Sequence, residues 1–256
     1  MQVSEVLNPL PCEFTSLDNP PSCIYYRGDT SLLNLKKVSI VGSRRAYAYS
    51  RTVVNALSSE LAKRNICVVS GGAMGIDALA HEGAYPKSIA VLANGLDIVY
   101  PKVNKKLLEK MAENSLLLSE YQDGTKARSY SFVHRNRLVV ALGDVLVVAQ
   151  ADKDSGSMRS VEFAFETGKK IYVLPQRLGE SEGTMQLLHE GKAELITDIK
   201  AFADMFGSSE ESSDEFLRFC SQSPSHEEAL AFDAQKTFEY ELLGKIKVLN
   251  GRVCIL

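Results

Sequence analysis

Between residue 37 and about residue 200, short apolar runs alternate with amphipathic stretches, and the apolar runs are nearly continuous. They are Lys37–Val41, Ile66–Ser70, Ser88–Leu92, Ser115–Ser119, Asp144–Ala149 and Lys170–Pro175. A strand with one wet face alternates apolar and polar residues; a strand buried on both faces does not. Between the runs, Ala48–Lys63 places Val53, Val54, Leu57, Leu61 and Ala62 on one helical face. Helices are also predicted over Ile76–Gly83, Pro101–Glu113, His134–Leu142, Ser157–Thr167 (closed by Gly168) and Gly183–Glu190. Strand and helix in repeated series predict a doubly wound α/β domain around a mostly parallel sheet, over residues 37–206.

The flanks differ. Residues 1–36 carry Pro9, Pro11, Pro20 and Pro21 and one strand candidate, Cys23–Tyr26, which reads as a lead-in packing on the core. Residues 207–214 are small and acidic, the composition of a linker. Beyond it, Glu215–Cys220, Ser225–Ala231 and Ala234–Leu243 read as short helices, with Ser225 and Glu228 spaced as a capping box. Lys245–Val248 and Val253–Leu256 flank Asn250-Gly251, a preferred hairpin turn. Three helices and a hairpin predict a small winged-helix-like α+β module over residues 215–256.

The chain of 256 residues is 45% hydrophobic and 24% charged, enough for a real core and against wholesale disorder. No apolar run is long enough for a bilayer, and no secretory leader pattern opens the sequence, so a cytoplasmic protein without a membrane partner is expected. Cys12, Cys23, Cys67, Cys220 and Cys254 are scattered, which supports neither a disulfide framework nor a zinc site. Net charge is −3, no signature of a nucleic-acid binder. Residues 207–256 hold 5 basic and 9 acidic side chains, so a polyanion site must be a local patch on the larger part.

Four turns follow apolar runs or lead into helices. Gly42-Ser43-Arg44-Arg45 offers backbone N–H groups and two guanidinium groups to a phosphate; it also reads as a tight turn with solvated arginines. Ser70-Gly71-Gly72-Ala73-Met74-Gly75-Ile76-Asp77 is a glycine-rich turn that can cradle phosphate or merely reverse the chain. It is not a dinucleotide fingerprint, and no P-loop occurs. Lys126, Arg128, Tyr130 and Phe132 precede His134-Arg135-Asn136-Arg137, a basic and aromatic segment suited to phosphates and unpaired bases. Its other reading is a core Phe132 with arginines in salt bridges. Ser155-Gly156-Ser157 opens a helix, where Ser155 or Ser157 can serve as an ordinary cap or face a ligand. Catalytic constellations are poor: Asp77 and His81 share a helix without a nucleophile, and His189 and His226 lack partners at metal spacing. No catalytic residue, metal or cofactor is expected.

As an ordered set, these motifs resemble the DNA processing protein A (DprA/Smf) family. The set runs from Gly42-Ser43-Arg44 through Ser70–His81, Gly95–Pro101, Ser119-Glu120 and Phe132–Arg137 to Ser155-Gly156-Ser157, Val173-Leu174-Pro175 and Gly183–Ala193. Met74, Gln176-Arg177 and Lys192 depart from the pattern. The resemblance implies an extended Rossmann-like domain that binds single-stranded DNA without catalysis, forms a homodimer, and loads the RecA recombinase during natural transformation. It implies that Arg44 holds a phosphate and that Gly42, Ser43, Gly71, Gly72, Ser155, Gly156 and Ser157 line the pocket. Phe132 then stacks a base, with Arg128, Arg135, Asn136 and Arg137 around it. The helix Ala234–Leu243 has one lysine against two glutamates, which suggests a protein-contact role for the last module. The competing reading is a nucleotide-processing enzyme like the phosphoribohydrolases of the same α/β plan. Their P-G-G-x-G-T-x-x-E glutamate has no counterpart after Ser70-Gly71-Gly72.

Overall fold

Strands that read as unbroken apolar runs need a cover on each face, and the structure, a computed structural model, supplies both. It describes residues 3–208, 215–220, 222–249 and 251–255. The chain enters through β1 (Glu5–Val6), the one-turn helix α1 (Cys12–Thr15) and β2 (Tyr25–Gly28). It continues as β3 (Lys37–Gly42), α2 (Ala48–Lys63), β4 (Cys67–Gly71), α3 (Ile76–Ala84) and β5 (Ser88–Leu92). Then come α4 (Lys105–Asn114), β6 (Leu116–Ser119), α5 (Ser129–Leu142), β7 (Val145–Gln150) and α6 (Gly156–Glu166). The series ends with β8 (Ile171–Val173), α7 (Glu182–His189), β9 (Glu194–Leu195) and α8 (Ile199–Asp204).

These strands form one nine-stranded sheet in the order β1-β2-β6-β5-β4-β3-β7-β8-β9. From β6 to β9 every pairing is parallel; β2 lies antiparallel on β6, and β1 antiparallel on β2. The fold is an extended Rossmann-like α/β sheet. Side chains divide by strand parity. Val38, Ile40, Val68, Val145 and Val147 pack under α2, α3 and α8, beside Leu57, Leu61, Ile76 and Phe202. Val41, Val69, Leu146 and Val148 pack on the other face, under α1 and α5, beside Phe14, Leu138 and Leu142. Leu57 and Leu61 are fully buried, each worth about 1.5–3 kcal/mol of apolar transfer. Helix α2 ends where Asn65 turns left-handed (φ 59), and Arg64 there ties Glu60 to Asp204 of α8. Helix α6 ends the same way at Gly168 (φ 65).

Strand order reverses at β3: β4 lies on one side and β7 on the other. The carboxyl ends Gly71, Gly42 and Gln150 therefore stand side by side, with Gly42 opposite Gln150 in register. In open α/β sheets such a switch point leaves a crevice for a ligand.

Three expectations shift. Helix α5 begins at Ser129, five residues before His134, because the Arg128 backbone N–H donates to the buried Ser131 hydroxyl at 3.2 Å and closes the first turn. The stretch predicted as one helix from Pro101 is a 3-10 turn, Lys102–Asn104, followed by α4. The strand predicted from Cys23 starts at Tyr25.

The chain divides into two compact units, residues 1–208 and 209–256. Most of the expected linker, residues 209–214, lies outside the described residues. The second unit comprises α9 (Glu215–Cys220), α10 (His226–Leu242) and the hairpin β10 (Ile246–Leu249) and β11 (Arg252–Ile255). Ser225 and Glu228 close the expected capping box at the start of α10. Asp233 (φ −158, ψ 97) breaks α10 between the two helices that the sequence predicts there. Phe216, Tyr240, Ile246 and Val253 form this unit's own core. Of the expected Asn250-Gly251 turn, Asn250 lies outside the described residues, and Gly251 takes the positive φ (77°) that the turn requires.

Candidate nucleic-acid interface

The first two glycine turns are locked together by backbone alone. The Ile76 N–H donates to the Ser43 carbonyl at 3.1 Å, and the Ser43 N–H donates to the Gln150 carbonyl at 2.8 Å. Gly75 sits at φ 78°, and a Cβ there would meet the Arg44 carbonyl oxygen at 2.6 Å. A Cβ on Gly42 would meet Ile76 Cγ1 at 2.6 Å. The glycines thus let β3, β4 and α3 approach at one point. Gln150 clamps the outer loop: its Oε1 accepts from the Tyr47 N–H at 2.9 Å, and its Nε2 donates to the Arg45 carbonyl at 3.2 Å. Neither Gln150 nor Asn104, which donates to the Gly72 and Ala73 carbonyls, belongs to a motif singled out in the sequence.

Arg44 stands exposed at the lip, and its guanidinium carbon lies 5.3 Å from the centre of the Phe132 ring. Phe132 is half-buried on the second turn of α5, with the Tyr100 ring centre 5.7 Å away. Arg44 and Arg45 have no carboxylate within ion-pair distance among the described residues. On the opposite wall, Ser155 occupies the N-cap position of α6, but its hydroxyl caps nothing; it is buried without a hydrogen-bond partner. Asn136 Nδ2 reaches the Gly156 carbonyl at 3.3 Å and joins that wall to α5. One open cleft is lined by Gly42, Ser43, Arg44, Gly71, Phe132, Arg135, Asn136, Ser155, Gly156 and Ser157. Gly72 lines an adjoining recess with Met74 and Tyr100.

Helical periodicity divides the basic segment. Phe132, Arg135, Asn136 and Val139 fall at i, i+3, i+4 and i+7 and face the cleft. Arg137 is two residues from Arg135, some 200° around the helix at about 100° per residue. It does not reach the cleft. Its side chain is buried on the far side of α5 in an ion pair with Glu120, 2.5 Å away, beside a crevice shared with Leu17 and Phe163. Arg128 is exposed but lines a separate depression with Tyr121, Lys126 and Tyr130. Arg135 faces the cleft yet is only 6% exposed. Because α5 starts at Ser129, Arg135 and Arg137 stand in its second and third turns and not at its first residues, where a helix predicted from His134 would put them.

Beneath the turns lies a buried polar layer. Burial pushes the Asp77 carboxyl up from its ordinary value, and the Arg135 guanidinium beside it and the Ala73 N–H (3.3 Å) pull it back. Burial lowers Arg135, Asp77 supports its charge, and Arg44 opposes it. His81 is fully buried and pushed down to about 4 by that burial. These groups serve the turns: Asp77 receives a backbone N–H, and His81 binds the Gly71 carbonyl at 2.7 Å. Among the described residues, no group of three or more His, Cys, Asp or Glu side chains is placed to hold a metal, and no helix is long and apolar enough to cross a membrane.

The model of the family DNA recombination-mediator protein A matches residues 8–207. DNA processing protein DprA of Bacillus subtilis is 34% identical over 196 residues, 74% of this chain and 66% of that protein. DNA processing protein A of Helicobacter pylori, whose structure was solved to explain its single-stranded DNA binding mode, is 44% identical with a TM-score of 0.78. The similarity covers 79% of this chain and 94% of that one. DNA processing protein A of Streptococcus pneumoniae is 33% identical with a TM-score of 0.73, over 78% of this chain and 72% of that one. The chain spans slightly less than two thirds of the length of the Bacillus protein.

Proposed function

The chain belongs to the DNA recombination-mediator protein A family, and from that premise we propose that it binds single-stranded DNA in the cleft at the carboxyl ends of β4, β3 and β7. In this reading it protects incoming strands and hands them to the RecA recombinase during natural transformation, working as a homodimer and by binding alone. The observation that carries the reading is the pairing of Arg44 with the Phe132 ring at the lip of the glycine turns. A cation without a carboxylate partner attracts a phosphate, and a half-exposed ring beside it offers a stacking surface to an unpaired base. The start of α6, where Gly156 and Ser157 line the cleft, adds fixed partial positive charge along the strand's path. Ser155 and Ser157 line the wall of the cleft at that helix start.

Binding without chemistry is supported by the fate of the one carboxylate on the glycine turn: Asp77 is 7% exposed and engaged with the backbone beneath it. The division of labour follows the composition: residues 37–206 hold the strand, and residues 1–36 support them. Residues 207–214 link to a C-terminal module whose last helix segment, with Glu239 and Glu241, suits a protein contact.

The test is the affinity of a labelled oligothymidine strand for the parent chain, Arg44→Ala and Phe132→Ala. Losing the ring should cost about 1–3 kcal/mol, the usual worth of one stacked base. Parental affinity in both variants would overturn the assignment of the cleft.

A further inference from the structure

Arg135 sits where a phosphate contact is expected, yet nearly all of it is out of water. Its Nη1 donates to the Val91 carbonyl at 2.5 Å, on β5. Its guanidinium lies against Gly71, the last residue of β4, so closely that a Cβ on that glycine would fall within the guanidinium itself. Asp77 of α3 supplies the counter-charge from below. His81 of the same helix holds the Gly71 carbonyl from behind. Three residues before Arg135, on the same face of α5, is Phe132.

We propose that Arg135 is a positioning residue, not a phosphate contact: its guanidinium is a strut between the Val91 carbonyl and Gly71 that sets the Phe132 ring at a fixed distance from the glycine turn. Gly71 is glycine because the strut occupies the space a side chain would need. A planar, permanently charged group suits the place better than lysine, since it donates to the Val91 carbonyl while several of its atoms fill the space beside Gly71. The strut rests on the single-strand reading for its purpose, but its existence can be tested without DNA.

The experiment has two arms on the full chain. In the first, the affinity for labelled oligothymidine is measured across a salt series for the parent, Arg44→Ala and Arg135→Gln. Each phosphate neutralised contributes about 0.7 to the slope of log affinity against log salt for single strands. Arg44→Ala should flatten the slope by that amount. Arg135→Gln should weaken binding by about tenfold, in the range expected for one displaced stacking surface, with the parental slope kept. A slope flattened as in Arg44→Ala would overturn the proposal. In the second arm, thermal unfolding is followed for the parent, Gly71→Ala, Arg135→Gln and the double variant. Gly71→Ala should lower the midpoint in the parent and lower it much less once the guanidinium is gone. Additive losses would overturn the strut. Should Arg135→Gln fail to fold, Arg135→Lys replaces it in this arm with the same expected non-additivity. If the parent binds no oligothymidine at any salt, the functional reading fails, while the second arm still decides the strut.

Discussion

His81 lies behind the glycine turn with its whole side chain excluded from water. Its Nε2 is 2.7 Å from the Gly71 carbonyl, which can only accept, so Nε2 carries the proton. Nδ1, 2.7 Å from Ser88 Oγ, is then the acceptor of a neutral imidazole. Burial is the largest cause that lowers its pKa, the Arg135 charge adds to it, and the Gly71 carbonyl opposes it, leaving a value of about 4 against an ordinary 6.5. Between those values the unfolded chain binds a proton that the folded chain refuses. The stability from a neutral His81 is therefore complete above about pH 7 and drains away as the pH falls from 6.5 towards 4. At about 1.4 kcal/mol per unit, the total is about 3 kcal/mol. Urea unfolding of the parent and of His81→Gln, from pH 7.5 to 4, isolates this contribution, because carboxylates titrate alike in both chains. Glutamine keeps an N–H for the Gly71 carbonyl but cannot titrate. The stability advantage of the parent over the variant should shrink by about 3 kcal/mol across the window. Parallel pH curves for the two chains would refute the reasoning.

Further outcomes follow from the same geometry. Gly75→Ala forces a side chain into a positive-φ backbone and against the Arg44 carbonyl, so unfolding measurements should register a loss of at least about 1–3 kcal/mol. Glu120→Gln removes the carboxylate paired with buried Arg137 and should cost up to about 3 kcal/mol of stability; oligothymidine affinity should stay unchanged, since Arg137 lies outside the cleft. A chain ending at residue 208 should bind oligothymidine as the parent does, measured by anisotropy, because every cleft residue belongs to the first unit.

The sheet was legible because burial on both faces leaves an unmistakable trace: Val145 to Val148 are apolar without a break, and only Ser39 interrupts Val38 to Val41. The adjacency of the glycine turns appears only with the strand order, which sets β4, β3 and β7 side by side. The basic segment was less legible. Ser129-Tyr130-Ser131-Phe132 has no apolar helical stripe, so the true start of α5 is hidden, and with it the rotation that aims Phe132 and Arg135 into the cleft and Arg137 away. Gln150 and Asn104 were invisible for another reason. Each acts through side-chain bonds to backbone distant in sequence, Gln150 to Arg45 and Tyr47, Asn104 to Gly72 and Ala73. Ser155 sits at the helix start where a cap is expected, but only coordinates reveal that its hydroxyl leaves the helix unbonded.

The most direct measurement is a comparison of a single-stranded oligonucleotide with its duplex, each titrated against salt on the parent chain. Cations at the lip and a ring for unpaired bases predict tighter binding of the single strand, with log affinity falling linearly as log salt rises. Equal affinity for the duplex, or affinity indifferent to salt, would contradict a cleft built from Arg44, Phe132 and the glycine turns.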